Sequence, residues 1–413
     1  MEGSREQFLN ILKNAMQGQQ LSEPVELTPE EWEELAAMAR QHKVLPMIYE
    51  AVRNLPQLQN TVLLSAMRQQ SRQQIILQTQ KSYEFLQLFQ KLRDAEVNPI
   101  VVKGIICRNL YPHPDYRIST DEDLLIPAEQ FERCHQVLSE VGMQTAATPV
   151  QMAEDYEIPY HSGTGPLYIE LHRSLFPTDS GAYGDFNRFF ARVFENAVQE
   201  VIEGVPVFTM GHTDHLFYLI CHAFKHFLHS GFGIRQICDI VLYANAYGSR
   251  VDWDMLLQNC VQIRAERFAA AIFQIGSNYL AFEPDRACYP AQWRQMQVEE
   301  TNLLEDVLLS GVYGSSSMSR RHSSNITLDA VEAEKQNRKS KSGLVVSLFP
   351  PANQMQTRYP WLEKHPWLLP VAWTSRIIQY KKESKGDKDN SAAEALKIGS
   401  QRVELLREYG IIQ

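Results

Sequence analysis

The sequence predicts an α+β protein in which a small mixed β-sheet lies between N-terminal helices and a C-terminal helical domain. Three observations lead to this prediction. Residues 60–95 contain no Gly or Pro and carry apolar side chains at helical spacing. Residues 97–210 alternate between short apolar runs and helical patterns, and helical patterns return after Thr213. The predicted parts are an N-terminal helical segment (1–95), an α/β core (96–210) and a helical domain (211–413).

Two shorter helices are predicted before the long one. Thr28 is a typical N-cap, because Pro29 and two acidic residues follow it at the positive end of a helix. Residues 43–46 begin a second helix that ends near Asn54. The Gln-rich part of residues 60–95 is interpreted as a packed helix rather than as a low-complexity tract, since its apolar residues keep helical spacing.

The core begins with three β-branched residues at 100–102, which predict a short buried strand. Lys103 and Gly104 end this strand, and a helical turn over 105–110 stops before Pro112. Polar and acidic residues at 119–123 then lead directly into a second apolar run. Side chains alternate along a strand, so Asp121 and Asp123 are expected on one face and Glu122 on the other.

The remaining elements follow from similar patterns. Gly142 is placed to end a helix, Glu170 lies on an apolar strand, and Gly204 marks a hairpin turn. The predicted ranges are a helix at 127–141, a strand at 166–171, a helix at 185–198, a hairpin at 199–210, and helices at 214–229, 234–246, 253–281 and 293–312. The sheet is expected to carry its helices on one side.

The chain after residue 313 changes in composition. Residues 314–343 are rich in Ser and basic residues, which predicts a mobile surface loop. Such a loop either connects helices or folds over bound substrate. The Pro- and Trp-rich stretch that follows is expected to lead into a final helix pair packed on the helical domain.

Composition and charge are those of an ordinary soluble globular protein, with 44% hydrophobic and 22% charged residues. The net charge of −9 argues against a general nucleic-acid coat, which requires a basic face. The six cysteines are scattered without a C-x-x-C pair, which favours reduced thiols over disulfides or zinc. The sequence begins without an apolar signal segment and has no run long enough for a membrane helix. The expected location is therefore the cytoplasm, with no membrane partner.

Asp121 and Asp123 are the first candidate site residues. Two carboxylates on one strand face are costly unless a cation lies between them, and a divalent metal that carries a phosphate is a suitable cation. The alternative is a solvated acidic turn. Glu170 is the candidate third ligand, with pairing to Arg173 as its alternative. Oxygen ligands of this kind suit Mg²⁺ or Mn²⁺.

These residues resemble the nucleotidyltransferase superfamily of polymerase-β type, and its bacterial branch of uncharacterised nucleotidyltransferase family proteins in particular. The resemblance covers residues 30–245 and has its main motif in the run R-x-x-x-D-x-D-L-L-I. The matching residues are Lys103-Gly104, Tyr111-Pro112, Arg117, Asp121 and Asp123, with later matches in Tyr168–His172 and in His222, Lys225, His226 and Asp239. One position departs from the superfamily, which usually follows its glycine with Ser, whereas this chain has Ile105.

The resemblance implies transfer of a nucleoside monophosphate from an NTP to an acceptor, with release of pyrophosphate. The acceptor stays open between a small molecule, a protein and an RNA end. Asp121, Asp123 and Glu170 would hold Mg²⁺ or Mn²⁺ and carry catalysis. The implied nucleotide-binding residues are Lys103, Gly104, Arg117, Lys225 and His226.

Two alternatives remain open from the sequence. The fold could serve as a non-catalytic nucleotide-binding or interaction module, since the usual Ser after Gly104 is missing. A metal-dependent phosphohydrolase could instead use His215, His222 and His226, which share one helix face, together with Asp239. The sequence argues against a zinc peptidase, because Ala223 stands where its helix motif requires Glu.

Overall fold

The computed structural model describes residues 3–311, 318–338, 352–355, 358–383 and 392–413. The chain divides into two compact units. The first contains residues 1–222 and 234–300, and the second contains residues 223–233 and 301–413. The fold is α+β, with N-terminal helices, a mixed sheet and a C-terminal helical region, as the sequence predicts.

The first unit begins with helices. They are α1 (Gly3–Met16), α2 (Pro29–Gln41), α3 (Leu45–Val52) and α4 (Val62–Asp94). Thr28 caps α2 in a capping box with Glu31, and Thr61 caps α4. The predicted helix starts and the long single helix are confirmed.

A mixed sheet forms the centre of this unit and contains seven strands among the described residues. The strands are β1 (Ile100–Val102), β2 (Glu122–Leu125), β3 (Met143–Gln144), β4 (Glu157–Ser162), β5 (Tyr168–His172), β6 (Val198–Ile202) and β7 (Val205–Thr209). Their order is β3-β4-β5-β2-β1-β7-β6. Strand β2 is parallel to β5 and β1 is parallel to β7, whereas the other pairs are antiparallel. Strand β4 was not predicted, because Pro159 interrupts its apolar pattern.

The remaining helices of this unit surround or follow the sheet. They are α5 (Gly104–Arg108), α6 (Phe131–Glu140), α7 (Pro149–Glu154), α8 (His212–Leu228, which belongs to this unit as far as residue 222), α9 (Ile234–Tyr247), α10 (Trp253–Gln262), α11 (Glu266–Tyr279) and α12 (Ala291–Arg294). The helical range predicted over 253–281 contains two helices, α10 and α11, which are separated where Arg264 takes a positive φ of 55°. The range 293–312 is likewise divided between α12 and a later helix.

The α-helix predicted over 185–198 is also wrong. The structure has a 3-10 helix at Gly184–Phe190, followed by turns. Asn187 accounts for the difference, since its side chain donates to the backbone oxygens of Phe176 and Gly184 and accepts from the Phe176 N–H. Such side-chain bonds to the backbone compete with regular helical bonds.

The second unit is helical. Besides residues 223–228 of α8, it contains α13 (Thr301–Ser310), α14 (Met318–Lys335), α15 (Ala352–Met355), α16 (Trp361–Lys364), α17 (Leu369–Glu383) and α18 (Ala392–Glu408). In the tail, Met355, Tyr359, Leu362 and Ala372 form an apolar cluster with Trp361 and Trp373.

The loop predicted over 314–343 is wrong for its central part, which forms helix α14. Several of its polar side chains form hydrogen bonds inside the unit. Arg320 pairs with Asp306 at 2.5 Å, Ser323 donates to the Arg320 oxygen, and Thr327 donates to the Leu228 oxygen. Residues 314–317 and 339–343 of the predicted loop lie outside the described residues.

All six cysteines are free thiols, with Cys288 exposed and the other five buried. No helix within the described residues is both long and apolar enough to cross a bilayer.

Candidate active site

The register of three neighbouring strands places the site residues in one row. Val102 on β1 pairs with Asp123 on β2, and Asp123 pairs with Glu170 on β5. Paired residues point to the same face of a sheet, so the Asp123 and Glu170 carboxyl groups are neighbours. Lys103 follows Val102 directly, which brings its side chain to the same end of the row.

Asp123 is buried between two nitrogen atoms. Lys103 Nζ lies 2.8 Å from its Oδ2, and His172 Nε2 lies 3.0 Å from its Oδ1. Burial by itself raises the pKa of a carboxyl group, but Lys103 and His172 outweigh it and hold the pKa of Asp123 below its usual range. Asp123 is therefore ionised at neutral pH.

The pKa of Glu170 is shifted in the opposite direction from that of Asp123. Burial raises the pKa of Glu170 to about 8, and the negative charges of Asp123 and Asp121 add to this effect. Its Oε2 lies 3.8 Å from His172 Nε2. A carboxyl group with this pKa is protonated at neutral pH unless a cation is bound beside it.

Asp123, Glu170 and His172 together could hold a metal ion. Each offers one ligand atom, and these three atoms lie within 4.8 Å of one another. Two carboxylates and an imidazole are accepted ligands of first-row divalent cations. A divalent cation would also relieve the repulsion that raises the pKa of Glu170. The residues present therefore fit a divalent metal, in keeping with the chemistry that the sequence predicts.

Asp121 lies just before β2 and lines the same cavity as Lys103, Gly104 and Asp123. The predicted face is confirmed in this respect, since the intervening Glu122 points elsewhere. Within the part of the chain that the structure describes, Asp121 is not a member of the three-residue group above. Its role as a metal ligand stays a prediction.

The turn at Lys103 and Gly104 is held by side chains. Lys103 takes a positive φ of 49°, and its N–H donates to His215 Nε2 at 3.1 Å. Burial lowers the pKa of His215 to about 3, so this imidazole is neutral and accepts at Nε2. Its Nδ1 lies 3.2 Å from the Thr209 hydroxyl, which donates to the Val101 oxygen. This chain of hydrogen bonds fixes the backbone from which Lys103 reaches Asp123.

The side chain of Glu122, from strand β2, binds the start of helix α5. Its Oε2 accepts from the Ile105 N–H at 2.8 Å, and its Oε1 pairs with the buried Arg108 guanidinium. Gly104 has a φ of +40°, and a Cβ at that position would overlap the Glu122 carboxylate. The sequence predicts amides near Gly104 that meet a phosphate, whereas the structure has the Ile105 amide bound to a carboxylate of the protein itself.

Arg117 is buried against Asp239. Its Nε and Nη2 donate to the two carboxylate oxygens of Asp239 at 2.8 and 2.6 Å, and Tyr111 donates to the same group at 2.7 Å. Both Arg117 and Asp239 line the cavity. Although burial opposes it, the pairing with Arg117 holds the pKa of Asp239 below its usual value. The resemblance implies that Arg117 binds the nucleotide, whereas the structure pairs its guanidinium with an acid of the protein itself.

The histidines of α8 are separated in role. His215 is fully buried behind the Lys103 turn, and His222 lines the cavity with Leu219 and Gln236. Lys225 and His226 are half-buried on the part of α8 that belongs to the second unit, and their contact with nucleotide stays a prediction. Within the described residues, no three-ligand group includes an α8 histidine.

The comparison with protein families agrees with this geometry. A family model described as uncharacterised nucleotidyltransferase matches residues 28–280, well over half of the chain. The chain belongs to this family. No curated protein and no solved structure matches it. Family membership supports nucleotidyl transfer in general, and the match includes the whole sheet and every cavity residue named above.

Sequence reasoning missed two residues of this family member's site, His172 and Arg235, and two lysines that lie near it, Lys43 and Lys81. His172 was read only as part of the strand motif, although its position two residues after Glu170 puts both side chains on one face of β5. Lys43, Lys81 and Arg235 contact the segment before Asp121, as described below, and lie far from it in the sequence. Only tertiary structure brings these three cations to one place.

Proposed function

We propose that this protein is a metal-dependent nucleotidyltransferase, which moves a nucleoside monophosphate from an NTP to an acceptor and releases pyrophosphate. The observation that carries the proposal is the strand row that sets ionised Asp123 beside Glu170, with Lys103 paired to Asp123 and His172 next to both carboxyl groups. The family supports the reaction class. The acceptor is a small molecule, a protein or an RNA end.

Asp123, Glu170 and His172 would hold the divalent ion, Mg²⁺ or Mn²⁺, with Asp121 as a further ligand from the cavity wall. Such an ion supplies charge neutralisation on the phosphates and lowers the pKa of a bound hydroxyl group. Lys103 lines the cavity and would neutralise negative charge that develops on the transferred phosphate. Lys225 and His226 are proposed to contact the nucleotide.

Glu170 is the proposed general base. The acceptor hydroxyl oxygen forms a bond to the α-phosphorus, and the bond from that phosphorus to the bridging oxygen of the β-phosphate breaks. Pyrophosphate leaves with the electron pair, and the hydroxyl proton passes to Glu170. Without a cation the pKa of Glu170 is about 8 and the group is protonated at neutral pH, so Glu170 would act as the base only when a bound divalent ion keeps it as the carboxylate.

The test is incubation with each NTP, Mg²⁺ or Mn²⁺, and a cell extract, followed by mass analysis of the labelled product and by a pyrophosphate assay. Asp123→Asn is expected to abolish transfer. The matched control is Asp94→Asn, which changes an exposed aspartate at the end of α4 and should leave transfer unchanged. Transfer by the Asp123→Asn variant at the wild-type rate contradicts the proposal.

A second candidate function is a non-catalytic nucleotide-binding module of the same fold. Two observations favour it, namely the Lys103 ammonium already paired with Asp123 and the Ile105 amide already bound by Glu122. Nucleotide- and metal-dependent thermal stabilisation without any product is the result that this candidate predicts. The phosphohydrolase alternative has less support, because the Asp239 carboxylate is bound by Arg117 and Tyr111.

A further inference from the structure

Three basic side chains converge on the segment that precedes Asp121. Lys43 Nζ lies 2.6 Å from the Thr120 hydroxyl oxygen, and Lys81 Nζ lies 3.0 Å from the Ser119 oxygen. Arg235 donates to the Ile118 oxygen. The three come from different elements, since Lys43 lies between α2 and α3, Lys81 on α4 and Arg235 on α9. We call Lys43, Lys81 and Arg235 the basic triad.

The charges near the basic triad are unevenly balanced. Lys103, Arg108 and Arg117 are matched by Asp123, Glu122 and Asp239 respectively. Asp121 is the acid whose field acts on all three members of the basic triad. Glu122 also acts on Lys81 and Asp239 on Arg235, but these two acids are paired with Arg108 and Arg117. Asp121 is therefore the acid that the three cations share, in a protein whose total charge is −9.

The protonation behaviour agrees with this imbalance. Burial lowers the pKa of Lys43, and the charge of Arg235 lowers it further. Burial also lowers the pKa of Lys81. The pKa of Arg235 is lowered by burial and by the charge of Arg117. Cations that destabilise one another in this way are stabilised by a bound anion.

Arg235 also has unused donor capacity. Its side chain lines the cavity together with Asp121 and Asp123, and its Nε is buried without a hydrogen-bond partner among the described residues. A buried guanidinium nitrogen without a partner is costly, and a phosphate oxygen is a suitable acceptor for it. The glycine turn does not offer the usual alternative, because Glu122 holds the Ile105 amide.

We propose that the basic triad is the binding site for the terminal phosphates of the NTP and for the pyrophosphate that leaves. Side-chain cations from α4, α9 and the α2–α3 connection would thus replace the backbone amides of the glycine turn. This inference rests on the proposed function for the identity of the ligand, a nucleoside triphosphate, although anion binding itself does not require catalysis.

The experiment is isothermal titration calorimetry of the full chain with inorganic pyrophosphate, in EDTA so that no divalent ion contributes. Lys43→Met and Lys81→Met keep the apolar stem of the side chain and remove the charge. Each is expected to weaken pyrophosphate binding about tenfold, the usual effect of one charge-assisted hydrogen bond. The matched control is Lys91→Met, which removes an exposed lysine from the same helix, α4, and should bind like the wild type.

Further measurements separate ligand binding from a structural role in holding residues 118–120. Lys43→Arg and Lys81→Arg should restore pyrophosphate affinity. Affinity for a nucleoside monophosphate should change less than about twofold in all variants, because that ligand has no terminal phosphates. In a transfer assay the Met variants should raise KM for the NTP more than they lower kcat.

Three results would overturn the inference. They are wild-type affinity in both Met variants, equal loss of monophosphate and pyrophosphate affinity, and a wild-type protein that binds inorganic phosphate as tightly as pyrophosphate. Failure of the proposed function has a different signature. Pyrophosphate binding that depends on both lysines, without any transfer product, leaves the basic triad in place and favours the non-catalytic module.

Discussion

Asp123 and Glu170 are paired residues on parallel strands, yet their carboxyl groups differ in protonation at neutral pH. Asp123 has Lys103 at one oxygen and the His172 imidazole at the other, and these two contacts hold its pKa low although burial opposes it. Glu170 is half-buried beside two other acids, so its pKa is raised to about 8. In the absence of metal, one proton therefore takes the place that a cation would occupy next to Glu170.

The first prediction concerns the pH dependence of metal binding. A divalent cation must displace the Glu170 proton, so affinity for Mn²⁺ should rise with pH, by about tenfold per unit at most, and level off above pH 8. Glu170→Gln removes the titrating group and should flatten this dependence. Equilibrium dialysis of Mn²⁺ between about pH 5.5 and about pH 9, a range that includes the Glu170 pKa, measures both affinities. An affinity of the wild type that does not change with pH contradicts the assignment.

The same group affects the stability of the metal-free protein. The folded-state pKa of Glu170 is raised above its ordinary value of 4.5, so its contribution to stability is fully present below pH 4.5 and is lost as pH rises to about 8. At pH 8 the metal-free Glu170→Gln variant should therefore have a Tm at least as high as that of the wild type. The Tm of the variant relative to the wild type should be lower at acidic pH than at pH 8. Differential scanning calorimetry at both pH values makes the comparison.

The second prediction concerns His172 as a metal ligand. Imidazole binds Mn²⁺ more readily than Mg²⁺, so His172→Asn should weaken Mn²⁺ binding about tenfold or more and affect Mg²⁺ less. His161→Asn is the control, since His161 is an exposed histidine on the adjacent strand β4. Competition dialysis with the two cations gives the ratio. Equal losses for Mn²⁺ and Mg²⁺ would mean that His172 acts only by orienting Asp123.

At the level of elements, the predictable parts are those in which local patterns agree with tertiary packing. Helix α2 and the β6–β7 hairpin follow from capping and turn residues, and β2 follows from its apolar run. The helix at 185–198 fails because Asn187 bonds to a backbone segment 11 residues away. Helix α14 was missed because a segment rich in Ser, Thr and Arg is typical of an exposed loop. In the structure, Thr327 donates to a backbone oxygen of the same unit and Arg320 pairs with Asp306.

The third prediction concerns the turn before α5. Gly104→Ala introduces a Cβ at a positive φ and into the Glu122 carboxylate, so it should cost more than about 2 kcal/mol of unfolding free energy. Gly142→Ala is the matched control, because its φ of +86° is also positive but nothing lies within 4 Å of the added Cβ. That control should cost about 1 kcal/mol from backbone strain alone. Urea denaturation of the two variants measures the difference, and equal losses would show that the contact with Glu122 has no effect.

At the level of the whole molecule, composition and site have opposite electrostatic character. The net charge of −9 argues against broad phosphate binding, yet the first unit concentrates Lys43, Lys81 and Arg235 around one short segment. Asp121, Asp123 and Glu170 were identifiable from one motif and one strand pattern. The basic triad was not, because its members are separated by 38 and 154 residues and no local pattern links them.

The fourth prediction concerns the thiols. Five of the six cysteines are buried, and burial raises the pKa of Cys107 and Cys221, so neither forms a reactive thiolate at neutral pH. One thiol, that of Cys288, should react rapidly with a disulfide reagent in the native protein. All six should react in denaturant without reductant. Fewer than six would reveal a disulfide and contradict the reduced state inferred from the sequence.

The Glu122 carboxylate at the start of α5 also makes the effect of one substitution at this turn depend on the others. Replacing Ile105 by Ser would not free the amide, because Glu122 binds the backbone rather than the side chain. Removing Glu122 would leave Arg108 buried without its partner, at a cost of about 3–5 kcal/mol. The three positions are therefore epistatic: Glu122→Gln should lower Tm far more in the wild type than in an Arg108→Met background. A variant with a free amide at residue 105 would therefore require replacement of both Glu122 and Arg108.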